Sequence, residues 1–216
     1  MGTAIAALAQ GAGDTELAGI WTRNTDLDEL LETADVIIDF SLPAGTERVI
    51  DAVARSRKPL VCGVTGLSGA QIARLSDAAL EVALVYDRNM SQGIAVLTSA
   101  MEQIGAALPV EFAVSVAEVH HRHKKDAPSG TALKLAETLA AARQLDVDDI
   151  EISSVRRGEV PGDHRVTFES ASERLTLTHS VTTREVFAAG AIRAARWVVG
   201  QPAGLYTMRD VLPGRR

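Results

Sequence analysis

The sequence holds a single cysteine, Cys62, in 216 residues, which excludes a disulfide framework within one chain and suits a reducing compartment. Aromatic residues are scarce at 4%, so Val, Ile, Leu and Ala must fill any core. No apolar run approaches the roughly 20 residues needed to span a bilayer. No basic region followed by an apolar stretch opens the chain, so export is not expected and the cytoplasm is the expected location. There is also no block of positive charge. The net charge of −6 is spread along the chain, which argues against a nucleic-acid partner. Internal repeats and low-complexity stretches are absent. Cys62 lies in the apolar run PLVCGV and reads as a buried small hydrophobe rather than a reactive thiol.

What is present is a chain of one large or two small domains with apolar residues enough for a sizeable core. From Leu17 to Tyr86, short Val- and Ile-rich runs (LAGIWT, ADVIIDF, KPLVCGV, EVALVYD) alternate with amphipathic stretches. Val49, Ile50 and Val53, then Ile72, Leu75 and Ala79, recur at helical spacing. Pro43 suits the first turn of one helix, and Ser68 suits the N-cap of the next. Strands alternating with helices imply crossover units and a parallel sheet, so this part is expected to be a Rossmann-like α/β domain. Near Ser91 the character changes. A helix is predicted over 92–107, then a one-face-buried strand through VEFAVSVAEVHHRH, a helix over 131–143, and strands in IEISSVRR, DHRVTFES and RLTLTHSV. A final Ala-rich helix is predicted over 184–199. The expected division is a nucleotide-type domain over 1–90, with the tail 201–216 returning to it. Residues 91–200 form an α+β domain with a mixed, mostly antiparallel sheet.

The densest chemistry lies in EVHHRHKKDAPSGTALKL, Glu118 to Leu135. Three histidines, an arginine and two lysines crowd six positions at a strand end, which packing does not require and burial would penalise. After Pro128 a helix opens on Ser129, Gly130 and Thr131. Unpaired backbone N–H groups with small side chains beside them make an anion site, and the cations of the histidine loop can face the same anion. The expected ligand is a small, multiply anionic molecule, and a dicarboxylate fits. Imidazoles also bind metals, but the adjacent lysines repel a cation, so no metal is expected. His164 and His179 lie on strand faces and read as hydrogen-bonded, partly buried histidines, with a substrate contact as the second reading. Asp39 reads as a cap of a strand end or of the following helix, or equally as a ligand. Arg184 and Arg193 read as surface or interface residues, and the small residues from Ala188 to Ala195 as permitting close helix packing.

The segment HHRHKKDAPSGTA resembles the signature of the dihydrodipicolinate reductases. The fragments DFSLPAGT, CGVTGLS, NMSQGIAVL, THSVTTREVFAAGAIRAARWV and GLYTMRDVL resemble other parts of the same family in order, so the resemblance runs from Gly2 to Leu212. It implies NAD(P)H-dependent reduction of 4-hydroxy-tetrahydrodipicolinate on the diaminopimelate route to lysine. By the resemblance His120 exchanges the proton, Lys124 is a second donor, and His121, Gly130 and Thr131 hold the substrate carboxylates. Gly63, Val64, Thr65 and the stretch Asp87, Arg88, Asn89 and Met90 line the cofactor. The family's second domain pairs its sheets into a homotetramer.

A dinucleotide-binding fold should open with a strand and a glycine-rich turn. Here Met1 and Gly2 resemble the end of that turn, and the first strand, central in the family's fold, is not in the sequence. An internal Met taken as the start codon is the preferred explanation. A second reading is a non-catalytic relative that binds an anionic metabolite but not the dinucleotide. At the end of GIWTRN an acidic residue would bind the NAD ribose. Arg23 stands close by instead and could pair with a 2′-phosphate, a lean towards NADPH over NADH.

Overall fold

The computed structural model describes residues 1–22 and 24–213. The elements begin with helices α1 (Gly2–Gly11) and α2 (Leu27–Thr33), strand β1 (Ile37–Asp39), α3 (Pro43–Ser56), β2 (Leu60–Cys62), α4 (Gly69–Ala78) and β3 (Ala83–Tyr86). There follow α5 (Gln92–Ala107), β4 (Ala113–His120), α6 (Gly130–Arg143), β5 (Glu151–Arg156), β6 (Asp163–Glu169), β7 (Arg174–Ser180), α7 (Glu185–Val198) and β8 (Gly204–Tyr206). Two compact units result: Met1–Ser91 with Glu185–Arg216, and Gln92–Arg184.

In the first unit the strands pair in the order β1-β2-β3-β8, all parallel. Parallel strands joined by crossover helices are buried on both faces and therefore read as apolar runs. All three residues of β2 are inaccessible, and burial pushes the Cys62 thiol up to about 12. Helix α3 starts with Pro43 in its first turn and stops where Arg57 turns left-handed, at φ 56°. Its stripe of Val49, Ile50 and Val53 packs against Leu60, Cys62 and Leu84. Helix α4 opens on a capping box, the Ser68 hydroxyl accepting from the Gln71 N–H while the Gln71 side chain accepts from the Ser68 N–H.

Two expectations are corrected here. Leu17–Thr22 forms no strand. A strand is defined by its ladder, and β1 at the edge of the described sheet pairs only with β2, so this extended segment has no partner among the described residues. The last helix, predicted as part of the second domain, belongs to the first unit and packs on α1, β1, β2 and β3. Gly190 explains the fit. A Cβ at that position would overlap the carbonyl oxygen of Met90, so only glycine lets the α7 backbone come so close.

In the second unit the order is β5-β4-β6-β7, with β5 parallel to β4 and the other pairs antiparallel. Period-two alternation turns Val114, Val116, Val166 and Phe168 towards α5 and α6, where Ile94, Met101, Leu135 and Leu139 complete a core. The other face carries Ser115, Ala117, Arg165, Thr167, Thr176 and Thr178 and has no helix packed on it among the described residues.

Candidate active site

The covered face of the second sheet changes chemistry along its length. Following Val114 and Val116, the same alternation places Glu118 and then His120 on that face. Register extends the change sideways. Glu118 stands opposite Ser154 on β5 and His164 on β6, and His164 stands opposite His179 on β7. One step further, His120 stands opposite Arg156. Directly opposed side chains on one face lie close enough to interact, so the sheet end presents a polar row continuous with the apolar core.

Glu118 is the hub of this row. Its side chain is fully buried; Oε1 accepts from the Arg156 guanidinium at 2.9 Å and from the backbone N–H of Ser129 at 3.1 Å, while Oε2 meets His120 Nδ1. Burial opposes ionisation of this carboxyl, but hydrogen bonds from Arg156, Ser154 and Ser129 outweigh it and hold the group down at about 2. It is therefore a carboxylate at any working pH. Arg156 also donates to the carbonyl of Asp126, which ties the strand end to the loop that leads into α6.

His120 is 7% exposed. Burial pushes its pKa down, the Glu118 carboxylate pulls it back up, and Lys124 and Arg156 push it down again. The ring of His164 lies edge-on to it, with centroids 5.1 Å apart. His164 is 2% exposed, and neither of its ring nitrogens has a hydrogen-bond partner among the described residues. Burial, then the charge on His120, takes it down to about 3, so it is a neutral ring. This corrects the expectation of a hydrogen-bonded histidine. The register that buries His164 against His120 is a property of strand pairing, which no local pattern in DHRVTFES reveals. Glu118 and Arg156 were also missed; the signal for Glu118 was its i−2 position from His120 on a strand.

The loop after β4 separates its cations. The His120 carbonyl accepts from the Arg157 N–H and the Arg122 N–H donates to Gly158, which fixes the start of the turn. His121 is half-buried, whereas Arg122 and His123 are exposed around Glu159. Lys124 is mostly buried and forms an ion pair with Asp126 at 2.8 Å, and it contributes to the field at both His120 and His164. Helix α6 follows, its Ser129 hydroxyl accepting from the Ala132 N–H at 3.1 Å. Its first turn has no acidic side chain, so the amides of Gly130 and Thr131 keep their positive end. Glu118, His120 and His164 could also each offer one ligand atom to a metal, these atoms lying within 4.8 Å of one another. The carboxylate, however, is already engaged by Arg156 and Ser129, and Lys124 and Arg156 disfavour a second cation.

The first unit carries the other predicted residues at the C-terminal edge of its parallel sheet, where open α/β sheets bind ligands. Gly63 follows β2, and a side chain on it would overlap the ring of Phe40. Val64 is buried in the core and Thr65 is exposed. Asp39 Oδ1 accepts from the Ser41 N–H just past the strand end, as the capping alternative of its two readings has it. Asp87 and Asn89 are buried and serve the backbone: Asp87 accepts from the N–H groups of Asn89 and Met208, and Asn89 from that of Ser91. Met90 is buried and Arg88 partly so. Arg23 lies outside the described residues. A dinucleotide's phosphates would fit the start of α1. Among the described residues no side chain caps that end, its first turn has no acid, and nothing stands within 4 Å of where a Gly2 side chain would be.

Comparison with known proteins gives one consistent family. The family model for the N-terminus of dihydrodipicolinate reductase matches residues 1–90, and the one for its C-terminus matches residues 93–212. The 4-hydroxy-tetrahydrodipicolinate reductase of Halorhodospira halophila is 41% identical over 94% of this chain and 84% of its own length. That of Sulfurimonas denitrificans is 40% identical over 88% and 80%. Among solved structures, a dipicolinate-bound dihydrodipicolinate reductase from Paenisporosarcina sp. TG-14 superposes with a TM-score of 0.80 at 21% identity, over 98% of this chain and 95% of that one. A probable dehydrogenase from Thermotoga maritima reaches 0.61 at 12% identity, covering 97% and 89%. At these identities the two structures bear on the fold alone.

Proposed function

This chain belongs to the dihydrodipicolinate reductase family, and we infer from that membership and the sheet-end geometry how it carries out the family's reaction. The protein is an NAD(P)H-dependent oxidoreductase that reduces 4-hydroxy-tetrahydrodipicolinate to tetrahydrodipicolinate. One hydride and one proton enter and one water leaves. The cofactor supplies the hydride; the protein must hold a dianion, exclude water and handle the proton.

What supports the reading is that, within one unit, the buried Glu118 contacts His120, Arg156 and the Ser129 N–H ahead of α6, while Lys124 contributes to the field at His120. Gly130 and Thr131, with His121, bind the substrate carboxylates through backbone amides and a half-buried imidazole. Lys124 exchanges Asp126 for a carboxylate and serves as a second donor. His120 exchanges the proton. A bound dianion raises its affinity for that proton, because it adds negative charge beside a ring whose pKa burial pushes down, with Lys124 and Arg156 acting the same way against the pull of Glu118. Lowering the proton's cost only when substrate is present suits general acid–base catalysis.

Gly63, Val64, Thr65 and Asp87 to Met90 line the cofactor, Asp87, Asn89 and Met90 through backbone and shape, since their side chains are turned inward. Arg23 favours NADPH. The uncovered face of the second sheet, small and threonine-rich, is the surface through which the chains pair into a homotetramer. A cytoplasmic location fits the lone, buried Cys62; no helix among the described residues is long and apolar enough to cross a membrane.

The test is direct. Purified protein supplied with fresh product of the preceding aldol-type synthase oxidises NADPH or NADH, and His120→Ala and Lys124→Ala each lose most of the rate while the fold survives. Wild-type turnover in both variants would end the assignment of these roles.

A further inference from the structure

A histidine that moves a proton must present one chosen nitrogen to the reactant, and its partner on the other nitrogen makes that choice. In this sheet end the choice is built in. His120 Nδ1 lies in close contact with the buried carboxylate of Glu118, an ion-pair approach without the direction of a formed hydrogen bond, whereas Nε2 lies towards Gly162, 3.0 Å from where a side chain there would begin. Gly162 adopts φ 156°, and its carbonyl accepts from the Val181 N–H, which fixes this wall of the site. His164 closes the ring's flank edge-on. Glu118 cannot swing away, since Arg156 and the Ser129 N–H hold its other oxygen.

We propose that Glu118 is a positioning residue for the reaction: it fixes His120 as the Nδ1–H tautomer, leaves Nε2 to exchange the proton, and shares that carboxylate with the residue that opens the substrate-binding helix turn. The same carboxylate thereby registers the acid–base ring on β4 against the α6 amides, so proton donor and carboxylate cradle are set by one group. When Nε2 takes up a proton, the resulting imidazolium rests against a carboxylate that is already ionised, and no proton passes to Glu118. The charged and titratable groups facing the ring are Glu118 on the same strand, Arg156 on β5, His164 on β6 and Lys124 on the loop. Only Glu118 among them is an anion, so its removal leaves the imidazolium with like charges alone.

The role rests on His120 being the proton-exchanging group, but its test does not depend on turnover. In full-length protein labelled with nitrogen-15 at histidine, long-range proton–nitrogen correlation reports which ring nitrogen carries hydrogen, and His120→Gln identifies the signal. The expected result at neutral pH is a protonated Nδ1 and a bare Nε2. A bare Nδ1, or an even mixture, overturns the proposal. Glu118→Gln keeps the shape but drops the charge. It should lower kcat about 10- to 100-fold, the range seen when outer partners of metal-binding residues are removed, with KM changed far less, and move the alkaline limb of the kcat profile, on which His120 loses its proton, to lower pH. An unchanged kcat and profile overturn it as well. If Glu118→Gln does not fold, the tautomer of the wild-type ring still decides. If the tautomer is as expected but His120→Gln turns over normally, the catalytic reading fails while the tautomer assignment stands.

Discussion

Lowering the pH should destabilise this protein from near neutrality downwards, and His164 sets much of the magnitude. The ring is buried without a hydrogen-bond partner among the described residues, and burial with its histidine neighbour takes its pKa from 6.5 to about 3. Above the unfolded value both states hold a neutral ring, and His164 does not affect the balance. As pH falls below that value the unfolded chain binds a proton that the folded one refuses, so stability drops until pH reaches the folded value. The slope is about 1.4 kcal/mol per pH unit, which gives losses of about 1.4 kcal/mol by about pH 5.5 and about 2.7 kcal/mol by about pH 4.5. His120 and His179 are shifted the same way, with burial the leading cause, and add to the loss. Glu118 does not contribute in that upper window. Its folded value is depressed, so its stabilisation is present above the ordinary carboxylate range and is lost only as pH falls through that range towards about 2. Urea unfolding of wild type and His164→Asn at fixed protein concentration isolates the one ring. The variant's deficit at neutral pH should shrink by about 1.4 kcal/mol at about pH 5.5, because it no longer carries this titration. A difference that stays constant from neutral pH to about pH 5 would mean that His164 takes up its proton equally in the folded and unfolded chains.

Other substitutions test other links. Arg156→Met strips the buried Glu118 of its cation and should cost about 3–5 kcal/mol in urea unfolding, more than any exposed pair in the protein. Gly190→Ala drives a methyl group into the Met90 carbonyl and should destabilise the first unit by about 1–3 kcal/mol or more, read as a fall in Tm. Ser68→Ala removes one half of the α4 capping box and should cost about 1 kcal/mol by the same unfolding assay. Lys124→Met removes a donor and a charge, and should lower kcat/KM by about 100-fold or more at saturating NADPH while leaving NADPH affinity unchanged by calorimetry.

Local features were legible because local physics sets them. The Ser68 cap, the Pro43 start, the helix over residues 92–107 and the buried face of β4 each follow from residues within a few positions of one another. Features decided by distant partners were not. Leu17–Thr22 has a strand's composition, but a strand needs a neighbour to pair with. The stretch 184–199 has a helix's periodicity, but its allegiance to the first unit depends on Gly190 meeting Met90. In the site, the cluster from His120 to Lys124 drew notice by density alone, and it turned out to be divided: His120 and Lys124 turn inward while Arg122 and His123 face solvent. The groups that organise it, Glu118, Arg156 and His164, come from three strands, and only register places them side by side.

Chemical-shift mapping with pyridine-2,6-dicarboxylate on nitrogen-labelled protein, in the presence of NADPH, reads out whether His120 and the start of α6 face one bound dianion. The amides of Gly130 and Thr131 and the ring nitrogens of His120 should shift together along one saturable curve, and Lys124→Met should weaken that curve. Saturable binding that moves other amides and leaves the α6 start and the His120 ring unchanged would contradict that arrangement.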